Sequence, residues 1–83
     1  MKHKYEIVKE KIIKWVVNEK YKPHDKIPTE SELMNLFKVS RHTVRRAISD
    51  LASERYVYRI QGSGIYLSDF KETELYLILV TLL

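Results

Sequence analysis

The sequence predicts an α+β fold in which three helices are followed by a two-stranded β-hairpin, and three observations predict it. Apolar residues recur at helical spacing up to about Glu54. Thr29 and Ser40 stand where helices start. Beyond Glu54 the pattern changes to aromatic and β-branched runs, and both glycines, Gly62 and Gly64, fall between two such runs.

The totals bound the rest. A chain of 83 residues makes one small domain with one modest core. It is 45% hydrophobic and 31% charged with only two Gly and two Pro, a globular composition rather than a disordered one. There is no cysteine, which excludes disulfides and cysteine-based metal sites. Met1-Lys2-His3-Lys4 leads straight into an amphipathic pattern, with no signal-peptide character, so a cytoplasmic location is expected. The net charge of +4 suits an anionic partner. Its distribution is more informative. All five arginines (Arg41, Arg45, Arg46, Arg55, Arg59) lie between positions 41 and 59, whereas the basic side chains of the first 28 residues are lysines and two histidines. Arginine is the side chain for bidentate recognition, and lysine a point charge.

In chain order, Tyr5, Val8, Ile12, Trp15 and Val16 predict a first helix from about 4 to 19 with Trp15 as a core anchor. Lys4 at its start can reach a phosphate or simply be solvated. Pro23, His24-Asp25 and Pro28 mark a surface loop, in which His24 is read as a plain loop residue. Ile27 points inward and adds a short strand near 26–27 beside the later hairpin. Thr29 and Glu32 match a capping box for the second helix, whose buried face is expected from Leu33, Met34, Leu36 and Phe37.

Lys38-Val39 then turns into Ser40, the N-cap of a third helix. Val44, Ala47, Ile48 and Leu51 form its dry stripe, and Arg41, His42, Arg45 and Arg46 crowd the other side of its front half. Such a helix fits a DNA major groove, where arginine can give two donors to guanine O6 and N7. Taken alone, it is equally an amphipathic helix with a solvated basic face. Two short helices joined by about three residues form a helix-turn-helix pattern. Tyr56–Ile60 and Ile65–Leu67, separated by Gln61-Gly62-Ser63-Gly64, then form a hairpin of the kind called a wing. The whole is a winged helix-turn-helix over residues 1–68.

Residues 69–83 differ. A polar stretch to Glu74 precedes Leu75–Leu83, almost wholly apolar and too short to span a bilayer, which needs about 20 residues. This end is read as a linker plus an apolar tail, either a dimerisation segment or the first element of a missing effector domain.

Together these residues resemble the winged helix-turn-helix domain of the gluconate-repressor (GntR) family of bacterial transcription regulators. The resemblance rests on Lys26-Ile27-Pro28-Thr29-Glu30, Glu32-Leu33, Phe37, Val39-Ser40-Arg41, Thr43-Val44-Arg45, Ala47, Leu51 and Gly62-Ser63-Gly64. It covers roughly residues 4–68, and Ser40-Arg41-His42-Thr43 with Tyr58–Gly64 is most similar to its arabinose-repressor branch. The resemblance implies base and phosphate contacts from Arg41, His42 and Arg45, phosphate contacts from Ser40 and Thr43, and a minor-groove tip at Gln61 and Gly62. It places Glu30 at the duplex, accepting from a cytosine N4 amine or else serving the helix dipole. Arg46, projecting beside Arg45, would bind a phosphate. Two departures stand out: Arg55 where the family usually has glycine after the third helix, and Ile65 where threonine commonly follows Gly-x-Gly.

The expected function is sequence-specific DNA binding in a repressor, as a homodimer on a two-half-site operator, with no cofactor and no membrane. Any effector, a sugar by resemblance, would need the C-terminal domain missing here. The alternative is a winged-helix protein-interaction module using the wing and the apolar tail. An enzyme is the third and least expected class: His3, His24 and His42 are scattered with no nucleophile or carboxylate constellation, and no glycine loop leads from a strand into a helix.

Overall fold

In the computed structural model, which describes residues 2–69 and 79–82, helix α1 spans Lys4–Val17. Glu6 accepts the backbone N–H of His3 at 3.3 Å, satisfying a donor at the helix start. Val8, Ile12 and Val16 are buried at successive turns. Trp15 is half-buried against the core, its ring 5.4 Å from Tyr21 and 5.6 Å from Phe37. The helix stops slightly before the expected 19, because Glu19 takes a left-handed φ of 56° and closes the last turn.

Helix α2, Glu30–Phe37, begins with the expected capping box. Thr29 Oγ1 accepts from Glu32 N at 3.2 Å, and Glu32 Oε1 accepts from Thr29 N at 2.9 Å. Its buried face is narrower than expected. Leu33 is fully buried and Met34 and Phe37 are half-buried, but Leu36 is 55% exposed. Leu36 lies about 100° round the helix from the centre of the other three, which carries it past the edge of the core.

Helix α3, Arg41–Ser53, buries Val44, Ala47, Ile48 and Leu51. It packs across α1 as well as α2, so it is the central element of the core. Its end is a Schellman arrangement: Tyr56 N donates to Leu51 O at 2.8 Å and Arg55 N to Ala52 O at 3.1 Å, with Arg55 at φ 68°. Arg55 thus occupies the left-handed position that glycine favours.

Strands β1, Val57–Ile60, and β2, Gly64–Leu67, pair antiparallel, with Val57 opposite Leu67 and Ile60 opposite Gly64. Val57, Ile65 and Leu67 are buried, so one face of the hairpin closes the core under the helices. The short third strand near 26–27 is present as one bridge, Lys26 to Tyr66, flanked by Ile27 N donating to Ile65 O at 2.9 Å. Ile27 points inward and is buried. The expected linker and apolar tail fall mostly on 70–78 and 83, outside the described residues, while 79–82 form a helical turn. No described helix is long and apolar enough to cross a membrane.

Candidate nucleic-acid interface

The front of α3 is set by its cap. Ser40 Oγ accepts from Thr43 N at 3.2 Å and shares a 2.9 Å hydrogen bond with Thr43 Oγ1, so these two hydroxyls are first of all each other's partners. With the helix started there, Arg41, His42 and Arg45 stand exposed on its first turns. Behind them Val44 and Ile48 are wholly buried and hold the helix in place.

Glu30 gathers the arginines. Its carboxylate accepts from Arg45 Nε at 3.3 Å to both oxygens and from Arg59 Nη2 at 3.1 Å, with Arg41 Nη1 at 3.5 Å. The Glu30 side chain is 17% exposed, whereas the three arginine side chains are 44–62% exposed. Burial works against the charge on Glu30, but hydrogen bonds from Arg59 and Arg45 and their positive charges outweigh it. They hold the carboxyl below its usual range. Glu30 therefore does not stand open as an acceptor for a base in the free chain. It is the hub of an ion-pair cluster, in the first turn of α2 where a carboxylate also favours the helix dipole.

A groove of about 610 Å³ runs from this hub to the wing. Thr29, Glu30 and Ser31 at the front of α2, Arg41 of α3, Arg59 of β1 and the turn Gln61-Gly62-Ser63 line it. Gly62 takes φ 79°, and an added Cβ there would meet nothing within 4 Å, so the glycine serves the turn rather than a close contact within the chain. Gly64, at φ 151°, lies where a Cβ would come 2.7 Å from Lys26 Cε. On the outer face of the wing Tyr58 stacks on Tyr66 at 5.6 Å, Tyr66 OH meets Ser63 Oγ, and Tyr58 OH meets His24 Nδ1 at 2.8 Å. His24 is thus not a plain loop residue. At φ 69° it aims its ring at the wing and joins the loop to it.

Two candidates lie elsewhere. Arg46 does not project beside Arg45: its guanidinium carbon sits 3.8 Å above the ring of Tyr5 on α1. One residue round a helix is about 100°, enough to turn it to the α1 side. Lys4 is exposed at the start of α1, beside a smaller concavity it shares with Lys11 and Lys38. The structure therefore brings together Glu30, Arg41, Arg45, Gln61 and Gly62, keeps Ser40, His42 and Thr43 on the same helix front, and sets Lys4 and Arg46 at the α1 edge. Sequence reasoning missed Arg59. The available signal was its place in the strand run two after the core residue Val57, which turns it to the same face of the hairpin.

Among the described residues no cluster of three or more His, Asp or Glu could hold a metal ion. Residues 4–67 match the sequence pattern of bacterial regulatory proteins of the gntR family. The chain belongs to the gntR family. It is 46% identical over 71 residues to the arabinose metabolism transcriptional repressor of Geobacillus stearothermophilus, covering 86% of this chain and 20% of that protein. It is 39% identical over 67 residues to the histidine utilization repressor of Klebsiella aerogenes, covering 81% and 28%. The chain thus spans between a fifth and a third of these relatives. The AraR DNA-binding domain solved with operator ORX1 superposes with a TM-score of 0.80 at 50% identity, over 82% of each chain. A gntR-family regulator from Listeria monocytogenes, at 23% identity, shares the fold with a TM-score of 0.86 over 98% of this chain and 70% of that one.

These likenesses identify the three helices and the hairpin as the winged helix-turn-helix of gntR-family regulators, similar to that of the arabinose repressors. The two departures from the family pattern are absorbed differently. Arg55 takes a left-handed φ of 68°, which glycine favours, and Ile65 is 3% exposed, packed into the core from β2.

Proposed function

We propose that this chain is the DNA-reading domain of a bacterial transcriptional repressor, with α3 in the major groove and the wing tip in the adjacent minor groove. The observation that carries this reading is the shared face: Arg41, the start of α2, Arg59 and the turn Gln61-Gly62 border one open groove, and Arg45 donates to Glu30 in its wall. A B-DNA major groove about 12 Å wide admits one helix, and arginine at the helix front reads guanine through two hydrogen bonds. Arg41, His42 and Arg45 would then meet bases and phosphates. Ser40 and Thr43 would offer their remaining hydrogen-bonding capacity to phosphates, with Lys4 and Arg46 adding charge from the α1 edge. The names of the relatives and the AraR domain on its operators support the same reading.

Repressors of this kind would act as homodimers on an operator with two half-sites, in the cytoplasm. Effector sensing, a sugar by likeness to the arabinose repressors, would belong to a further domain. The test is selection from a randomised duplex pool at two salt concentrations. Enrichment of paired half-sites, with affinity falling steeply as salt rises, is the expected result. One enriched half-site would mean that the chain reads DNA as a monomer. No enrichment, with weak binding at low salt only, would overturn the reading in favour of a protein-interaction module.

A further inference from the structure

We infer that Glu30 and Arg59 act as a latch that makes base reading selective, by holding Arg41 and Arg45 until a partner stronger than a phosphate displaces the carboxylate. This rests on the DNA-reading function proposed above.

Three cations share one carboxylate at 3.1–3.5 Å, longer than the roughly 2.7–2.9 Å of a strong charge-assisted hydrogen bond. The arginine heads reach solvent while the carboxylate is mostly covered. Each pair is therefore weak and exchangeable. An exposed ion pair changes an equilibrium constant by at most about fivefold. A bidentate guanine contact changes one by about five- to 150-fold, so a cognate guanine takes the arginine from Glu30. A single phosphate pairs with arginine through the same kind of charge-assisted contact and competes with Glu30 on near-equal terms. On a non-cognate duplex the arginines are thus divided between the carboxylate and phosphates, and the groove presents a reduced positive charge.

Arg59 tunes the latch from the wing. It binds Glu30 Oε2 without belonging to α3, so it shares the carboxylate with the reading arginines and loosens their hold. It is a positioning residue, and it makes the readiness of α3 depend on the wing being in place. Loss of Glu30 and loss of Arg59 should consequently have opposite effects on Arg41 and Arg45. A merely structural role would give effects of one sign.

The experiment compares the full chain with Glu30→Gln and Arg59→Met by fluorescence anisotropy. The probes are a duplex selected from the randomised pool and a scrambled duplex of the same composition, over a salt series, with far-UV circular dichroism checking the fold. Glu30→Gln keeps the shape and removes the charge. It should bind the scrambled duplex at least about threefold more tightly, with a salt slope steeper by about one. Its preference for the selected duplex should narrow about tenfold, spread over the guanines that Arg41 and Arg45 read. Arg59→Met should bind both duplexes severalfold more weakly, because Glu30 then holds the two remaining arginines harder. Scrambled-duplex binding unchanged or weaker in Glu30→Gln would overturn the latch. So would a loss of preference confined to one base pair, which would make Glu30 a direct reader of that base. Wild-type chain without salt-dependent preference for any duplex would instead fail the DNA-reading function itself.

Discussion

A carboxylate among three guanidinium groups titrates differently from one in water, and at Glu30 the consequence can be measured. Burial raises its pKa, but the hydrogen bonds and charges of Arg59 and Arg45 lower it further, so the folded value lies below the unfolded one. The stabilisation it brings is complete above the unfolded value of about 4.3 and is lost as pH falls through the folded value. Because the partner arginines stand half in solvent, its size is below about 1 kcal/mol. Thermal melts should therefore lose stability more steeply below about pH 4.5 in wild type than in Glu30→Gln. Parallel curves would place the ion pairs outside the stability of the fold. At the same scale, Arg45→Ala should weaken binding to a selected duplex by about 1–3 kcal/mol, the range of a bidentate base contact. Unchanged affinity would remove Arg45 from base reading. The positions of Arg41 and Arg45 were legible in the sequence because a helix fixes them relative to Val44 and Ile48 within a turn. The hub was not, because Arg59 lies 29 residues from Glu30 and only the hairpin brings them together.

Elements begin and end here by local chemistry, and that is why most of them were legible. Thr29 with Glu32 and Ser40 with Thr43 satisfy helix-start donors within three residues, and the two glycines fall at the middle of the wing turn and at its exit into β2. Two helix ends fall where the pattern put them, at Lys38 and near Glu54, and only that of α1 was read two residues late, although Glu19, Lys38 and Arg55 all take left-handed conformations without being glycine. An L-residue there costs about 1–2 kcal/mol, partly offset by the greater unfolded-state entropy of a glycine replacement. Arg55→Gly should accordingly raise stability by about 0.5–1 kcal/mol, seen as a higher denaturant midpoint with an unchanged slope. A lower midpoint would mean that the Arg55 side chain contributes more than its backbone costs. Leu36 escaped a pattern reading because a helix of two turns has too few positions to define the edge of its buried face. His24 escaped it because its partner Tyr58 is 34 residues away. The wing tip carries its own prediction. Gly62→Glu should weaken duplex binding by setting a carboxylate against phosphates, whereas Gly62→Asn, which tolerates positive φ, should bind nearly as wild type. Equal affinity of the two variants would remove the tip from the minor groove.

Among the described residues the ion pairs that involve α3 fall at its two ends. Arg41 and Arg59 border the groove between α2, α3 and the wing, and with Arg45 they pair with Glu30. Lys9 is turned the opposite way in role, joining α1 to Asp50 and Glu54 at the far end of α3. There burial works against its charge, but Glu54 and Asp50 outweigh it and hold its ammonium above the usual lysine range. The acidic partners at the back of α3 and the arginines at its front give the helix a basic end and a braced end. This polarity follows from sequence order along one helix, and it aims the basic end outward once Val44, Ala47, Ile48 and Leu51 are buried. The most direct measurement is a titration of isotope-labelled chain with a selected duplex, followed by amide chemical shifts. The largest changes should fall on 29–31, 40–46 and 59–63, with Glu19–Pro23 and Ser68 nearly still. Changes centred on Glu19–Pro23 and Ser68, with α3 and the wing tip unmoved, would contradict the account.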